Sequence, residues 1–123
     1  MGNISKYLSD TEVVCKCGCG LQNMTPEALA KFDEVREYVA RPLKIASGVR
    51  CEDHNKSVGG EANSAHCKGY AFDIVCANGA ERYELIQAMM TKGVIRIGAY
   101  KNQMIVHMDV APAPWPQDVL WIL

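Results

Sequence analysis

The sequence has no long apolar run and no excess of charge of one sign. Its formal net charge is -1, from 13 basic and 14 acidic residues, so it offers no electrostatic footprint for nucleic acid. No apolar stretch approaches the roughly 20 residues that cross a bilayer, and no basic amphipathic stretch suits a membrane surface. We therefore expect neither a nucleic-acid partner nor insertion into a membrane.

The N-terminal segment, MGNISKYLSD, is polar and lacks the apolar core of a signal peptide. We therefore expect a protein that is made in the cytoplasm and reaches any site of action outside the cell after release or by delivery on a particle. The length suits one domain, predicted over residues 1–123. Within this domain, we predict that residues 1–23 form a Cys/Gly-rich arm. We also predict that residues 111–123 form a tail, with Pro and Trp, that packs on the domain. We expect a monomer.

The six cysteines stand in a sequence without a signal peptide, which favours reduced thiols over a disulfide framework. They are Cys15, Cys17, Cys19, Cys51, Cys67 and Cys76. The run of Cys15, Cys17 and Cys19 could bind a second, structural metal. However, the usual zinc spacing leaves two to four residues between cysteines, and a fourth ligand is not obvious. We therefore predict a structural or packing role for this run.

Capping residues and helical periodicity predict two main helices. Thr25 and Pro26 suit the cap and the first position of one helix, which ends before Pro42. The other helix covers residues 80–92 and is closed by Gly93. The side chains of this second helix that we predict to face inward are Tyr83, Ile86, Met89 and Met90.

Short apolar segments bounded by turn residues predict strands. The predicted strands are residues 43–47, 70–76, 94–100 and 104–110. A short helix is predicted over residues 52–58. In the tail, Pro112, Pro114 and Pro116 argue against regular strand pairing. These elements predict an α+β fold in which helices pack on a small antiparallel sheet.

Two of the three histidines stand where a metal site can be built. His66 precedes Asp73 by seven residues, and a carboxylate inside the apolar run 71–75 is costly unless it is paired or bound to a metal. In the last predicted strand, His107 and Asp109 share one face because side chains alternate. If that strand lies beside the Asp73 strand, the two histidines and Asp73 meet in one cleft. Three such ligands with an open fourth position suit catalytic zinc.

These motifs, taken in order, resemble those of the M15 zinc peptidases, in the branch related to D-Ala-D-Ala carboxypeptidases and phage endolysins. The resembling segments are 46–60, with Ser-Gly-x-Arg; 63–74, with Ser-x-His-x6-Asp; and 98–110, with Gly-x-Tyr and His-x-Asp-Val. The resemblance covers residues 24–115. It implies a fold of the hedgehog/D-Ala-D-Ala peptidase type, zinc as the cofactor, and peptidoglycan peptide as the substrate.

The resemblance also implies roles for particular residues. His66, Asp73 and His107 match the zinc ligands. Arg50 matches an arginine that steadies a substrate carbonyl or carboxylate, which a planar guanidinium can do, although a surface salt bridge is the other interpretation. Asp109 shares a face with His107, so it is predicted either as a general base or as a partner that orients this ligand.

The sequence departs from the family pattern just before the last ligand. Many relatives carry an acid or a histidine there, whereas Met104 and Ile105 cannot exchange a proton. The candidates for a general base are then Asp109, Glu61 and His54. We expect a zinc-dependent metallopeptidase that cleaves stem peptides of peptidoglycan, as a carboxypeptidase or an endopeptidase. The alternatives are a zinc-containing peptidoglycan-binding module with weakened catalysis and a structural phage component.

Overall fold

The structure is a computed structural model that describes residues 2–123. Its α-helices are α1 (Asp10–Val13), α2 (Pro26–Val39), α3 (Glu52–Ser57) and α4 (Gly79–Thr91). Its strands are β1 (Ile45–Ser47), β2 (Ala71–Val75), β3 (Arg96–Ala99), β4 (Ile105–Asp109) and β5 (Val119–Ile122), and a 3₁₀ helix covers Ala65–Lys68. The predicted α+β fold is confirmed. Among the described residues, no helix has the length and apolar character needed to span a membrane.

The five strands form one sheet in the order β1-β2-β4-β3-β5. The first four pair antiparallel, as predicted, whereas β5 runs parallel to β3. The prediction that the tail has no regular pairing was therefore wrong for its end. Pro116 precedes β5, and a proline removes a backbone donor only at its own position, so Val119 and the residues after it remain free to pair.

The start of α2 follows from its first residues. The Thr25 side chain accepts a hydrogen bond from the backbone N–H of Ala28 at 3.2 Å, and Pro26 occupies the first helical position, where its missing N–H costs nothing. The helix ends at Val39, and Ala40 follows in the left-handed conformation with φ of 58°. The capping signals thus place this helix as predicted.

The inward face of α4 differs from the prediction. Leu85, Ala88 and Met89 are buried, whereas Tyr83 is 73% exposed and Met90 is 55% exposed. The prediction was therefore wrong for Tyr83 and Met90 and right for Met89. Ile86 is half-buried and packs against the core, as predicted. Apolar side chains surround most of this helix, so its sequence defines the buried face poorly, and that face lies roughly 120° from the predicted one.

The hydrophobic core lies between the sheet and the helices α2 and α4. The rings of Phe32 on α2 and Phe72 on β2 have centroids 5.0 Å apart, and both side chains are buried. Val106 and Met108 on β4 are fully buried in the same core. Because side chains alternate along a strand, the residues between them on β4 face the opposite side of the sheet, where the candidate site lies.

Candidate metal centre

The centre is built from two neighbouring strands and the 3₁₀ helix. Asp73 in β2 lies directly opposite His107 in β4, so the two side chains emerge from the same face of the sheet. His66 arrives from the 3₁₀ helix, whose first turn is capped by the Ser64 side chain accepting a hydrogen bond from the His66 N–H at 3.1 Å. All three candidate ligands are buried, with 2 to 6% of their surface exposed.

The candidate ligand atoms converge on one point. The carboxylate oxygen Oδ1 of Asp73 lies 3.3 Å from Nε2 of His66 and 3.0 Å from Nδ1 of His107. One ligand atom from each residue lies within 4.8 Å of the others. Nε2 of His66 is buried and makes no hydrogen bond, despite its closeness to Asp73. An orphaned buried nitrogen beside a carboxylate and a second imidazole fits a divalent metal, and this donor set suits zinc.

The other ring nitrogen of His66 fixes the state of the imidazole. Nδ1 lies 2.7 Å from the carbonyl oxygen of Gly48, and because that oxygen can only accept, Nδ1 must donate its hydrogen. In the neutral ring, Nε2 therefore carries the free lone pair. The backbone carbonyl thus orients His66 for metal binding, as a hydrogen bond to the distal nitrogen of a metal-binding histidine commonly does.

Asp109 supports His107 from the side away from Asp73. Its Oδ2 lies 2.6 Å from Nε2 of His107, while its Oδ1 accepts from the Arg96 guanidinium and, at 3.0 Å, from the Ala111 N–H. Burial opposes the charged form of His107, but the hydrogen bonds to Asp109 and Asp73 outweigh it and raise the pKa of His107. Asp109 thus leaves Nδ1 of His107 facing the centre, and the geometry is that of an orienting partner.

Arg50 and Tyr100 hold the other oxygen of Asp73. Oδ2 accepts from the Arg50 guanidinium at 3.0 Å and from the Tyr100 hydroxyl at 2.9 Å. Burial raises the pKa of Asp73, but the hydrogen bond with His107 and the closeness of the His66 imidazole outweigh it, and the pKa falls well below its usual range. Burial and the Asp73 charge raise the pKa of Tyr100 to about 12, so its hydroxyl stays protonated at neutral pH.

Arg50 is largely committed to contacts within the protein. Besides Asp73, its guanidinium donates to the Ser47 hydroxyl and to the Asn55 amide oxygen, each at 3.1 Å. Its side chain is 11% exposed and joins the wall of the cleft, and it pairs with the buried Asp73, so it does not form a surface salt bridge. Its predicted contact with a substrate carboxylate stays a prediction.

The centre opens into a cleft of about 340 Å³. Trp121 of β5 forms part of the wall, with its ring centroid 5.3 Å from that of His107, and the Arg96 guanidinium lies over the same indole at 5.3 Å. Gly98 faces Trp121, where an added Cβ would come within 3.1 Å of the indole. This wall was not predicted from the sequence, because it depends on the unpredicted parallel pairing of β5.

The remaining candidates for a general base differ in position. Glu61 lines the cleft, is exposed, and its carboxylate forms no hydrogen bond or ion pair with the described part of the chain. His54 lies on α3, outside the wall of the cleft. Met104 is exposed and Ile105 is half-buried near the β3–β4 turn. Neither side chain carries a group that can exchange a proton.

The fold and the site together define a candidate metal centre of two histidines and one aspartate, a donor set that suits a metallopeptidase. The family model described as Peptidase M15 matches residues 6–109, which is most of the chain. The chain therefore belongs to the M15 peptidase family, whose members are zinc-dependent metallopeptidases, as the motifs predicted. No curated protein matches the sequence at a significant level.

Proposed function

We propose that the protein is a zinc-dependent peptidase that hydrolyses peptide bonds in the stem peptides of peptidoglycan. The observation that carries this proposal is the orphaned Nε2 of His66 beside Asp73 and His107 at the bottom of a cleft. Zinc held by these three residues would supply a Lewis acid that polarises the scissile carbonyl. The chain acts as a monomer on cell-wall material that it reaches after release or delivery on a particle.

The surrounding residues restrain the candidate ligands through hydrogen bonds. Arg50 and Tyr100 fix one oxygen of Asp73 and leave the other for the metal. Asp109 and Arg96 fix the ring of His107 in the same way. Such outer partners raise metal affinity because the ligands need little reorganisation on binding. Asp109 is therefore a positioning residue rather than the group that exchanges a proton with substrate.

Glu61 is our candidate for the general base. Among the groups named from the sequence, it is the one carboxylate on the wall of the cleft that the described chain leaves unpaired. Asp109 is occupied by Arg96, His107 and a backbone N–H. A free carboxylate on the rim can take a proton from a nucleophilic water and return it to the leaving amine.

Digestion of purified peptidoglycan, with product masses determined, tests the activity. We expect release of a terminal residue for a carboxypeptidase, or cleavage within the stem or cross-link for an endopeptidase. Activity should disappear on chelation, return with zinc, and be lost in His66→Ala. Activity that survives both chelation and His66→Ala contradicts the proposed mechanism. Zinc-dependent binding of peptidoglycan fragments without cleavage would instead favour the binding module that the apolar Met104 and Ile105 suggest.

Two matched variants separate proton exchange from positioning. Glu61→Gln should keep the wild-type zinc affinity and lower kcat by about 10²- to 10⁴-fold. Asp109→Asn should weaken zinc affinity by about 10- to 100-fold, because the His107 ring loses its charged partner. Zinc affinity comes from competition with a chromophoric chelator, and kcat from the digestion assay. Wild-type kcat in Glu61→Gln rules out Glu61 as the base.

A further inference from the structure

Four thiols meet at the junction between the N-terminal arm and the start of α3. The Sγ atoms of Cys15, Cys17, Cys19 and Cys51 all lie within 4.8 Å of one another. Sγ of Cys17 is 3.5 Å from that of Cys15 and 3.7 Å from that of Cys51. The cluster lies outside the wall of the His–Asp cleft and has no part in the proposed hydrolysis.

These distances suit a shared metal ion better than a disulfide. A disulfide needs its sulfur atoms about 2.05 Å apart. Zinc bound at about 2.3 Å by four sulfurs at tetrahedral corners sets the sulfur atoms roughly 3.8 Å apart. The separations of Cys17 from Cys15 and from Cys51, 3.5 and 3.7 Å, are close to this value. All six cysteines of the chain are free thiols in the structure.

The loop that carries the first three cysteines is shaped to bring them together. Gly18 and Gly20 have φ of 90° and 85°, a conformation that other residues adopt at a cost. The Cys15 N–H donates to the Leu21 carbonyl at 3.0 Å, which closes the loop. A Cβ at either glycine would meet no atom within 4 Å, so these glycines serve the turn rather than close packing.

Backbone N–H groups point at two of the four sulfur atoms. The Cys51 N–H donates to Sγ of Cys15 at 3.4 Å, and the His54 N–H donates to Sγ of Cys51 at 3.3 Å. These donors suit thiolate ligands, and the thiolate is the form in which cysteine binds a metal.

We propose that Cys15, Cys17, Cys19 and Cys51 bind a second zinc ion in a closed, structural site. Two features of the sequence argued against a zinc site here: the tight spacing of the first three cysteines and the lack of an obvious fourth ligand. The turns at Gly18 and Gly20 bring the closely spaced cysteines together, and Cys51, far along the chain, is the fourth ligand. The site has four protein ligands and no open position, which distinguishes it from the His–Asp centre. It does not depend on the proposed hydrolytic function.

The second site ties the arm to the segment that supports the first centre. The Val49 N–H donates to the Val13 carbonyl at 2.8 Å, which joins the arm to the strand-to-helix segment just before Cys51. In that segment, the Gly48 carbonyl orients His66 and the Arg50 side chain holds Asp73. A metal that fixes Cys51 to the arm therefore restrains the backbone on which both of these contacts depend.

Metal content per chain, measured by elemental analysis after purification without chelator, tests the site. We expect two equivalents of zinc in the wild type, one in Cys17→Ser and one in His107→Ala. Cys67→Ser is the matched control, because Cys67 lies outside the cluster and should leave two equivalents. Equal zinc contents in wild type and Cys17→Ser, with Cys67→Ser also unchanged, overturn the proposal, whatever the outcome of the peptidase assays.

Two measurements on the wild-type chain cover the case in which the variant fails to fold. Replacement of zinc by Co²⁺ should produce the near-ultraviolet charge-transfer bands of thiolate ligands, which the His–Asp centre cannot produce. Alkylation should spare Cys15, Cys17, Cys19 and Cys51 until a strong chelator is added. Each disulfide would lower the intact mass by two hydrogens, and we expect the mass of the chain with no disulfide. Disulfides in place of bound metal, or no thiolate bands with cobalt, reject the site.

Discussion

His107 combines two opposed demands on one side chain. It is buried, which disfavours an imidazolium, yet each of its ring nitrogens faces a carboxylate, and these carboxylates raise its pKa above the ordinary value of 6.5. Without a metal, a proton bound between His107 and Asp73 is therefore favourable. A metal ion must displace that proton before it can bind Nδ1, so proton and metal compete for the same lone pair.

We therefore expect zinc affinity of the His–Asp centre to fall as the pH is lowered, beginning above pH 6.5. The raised pKa of His107 means that the ring takes up its proton at a higher pH than a free histidine does. Below that pKa, competition from this one proton lowers the zinc affinity about tenfold for each pH unit. Chelator competition between about pH 8 and pH 5 measures this dependence. The Cys17→Ser background keeps the thiol cluster from contributing to the signal.

His54→Ala is the matched control, because it removes a histidine from α3 outside the cleft. In the Cys17→Ser background, the curve of zinc affinity against pH should be the same with and without His54→Ala. A constant affinity over the whole range would show that His107 does not exchange its proton for the metal.

Sequence reasoning reached some of these residues and missed others for physical reasons. Asp73 was identified because a carboxylate in an apolar strand demands a partner, and His107 because alternation set it apart from the core residues of its strand. The sequence does not assign a role to Tyr100, since a tyrosine near a strand end can line a cleft or pack in the core. Trp121 was not assigned to the cleft, because its place there depends on contacts between distant parts of the chain.

At the level of elements, the cap of α2 also serves the metal centre. Oγ1 of Thr25 accepts from the Ala28 N–H and donates to the Gly69 carbonyl at 3.0 Å, and the Thr25 N–H donates to the same carbonyl at 2.9 Å. Gly69 ends the 3₁₀ helix that contains His66. The cap thus joins the helix that forms the core to the turn that positions a ligand.

Thr25→Ala should lower the free energy of unfolding by about 1 kcal/mol, because one helix N–H loses its acceptor. Thr25→Ser keeps the hydroxyl and should recover most of the loss. Urea denaturation of the zinc-loaded proteins measures both values. If Thr25→Ala and Thr25→Ser unfold at the same urea concentration, the hydroxyl does not contribute to the cap.

The elements themselves differ in how well their sequence defined them. The start of α2 was predicted correctly because Thr25 and Pro26 act locally. The face of α4 was not, because packing against the sheet chose among several apolar faces. The parallel pairing of β5 was also missed, since Val119–Ile122 meets β3 only after β4 and the proline-rich segment have been crossed. Local signals outperform non-local ones throughout the chain.

For the molecule as a whole, stability rests on the face of the sheet opposite the metal centre. Phe72→Ala should lower the free energy of unfolding by about 3–5 kcal/mol, because it opens a cavity against Phe32. Tyr83→Ala is the matched control on α4, where the ring is 73% exposed, and should change stability by less than about 0.5 kcal/mol. Urea denaturation compares them. A loss in Tyr83→Ala as large as in Phe72→Ala would restore the face first predicted for α4.

The alternation along β4 also constrains how the length of this protein can change between lineages. A slip of one residue would turn Val106 and Met108 toward the cleft and His107 into the core, and a slip of two would carry His107 about 6.6–6.8 Å past Asp73. Neither shift keeps both the core and the ligands. Insertions and deletions among descendants should therefore accumulate in the 101–103 turn and the surface loops, while the spacing from Ile105 to Asp109 stays constant.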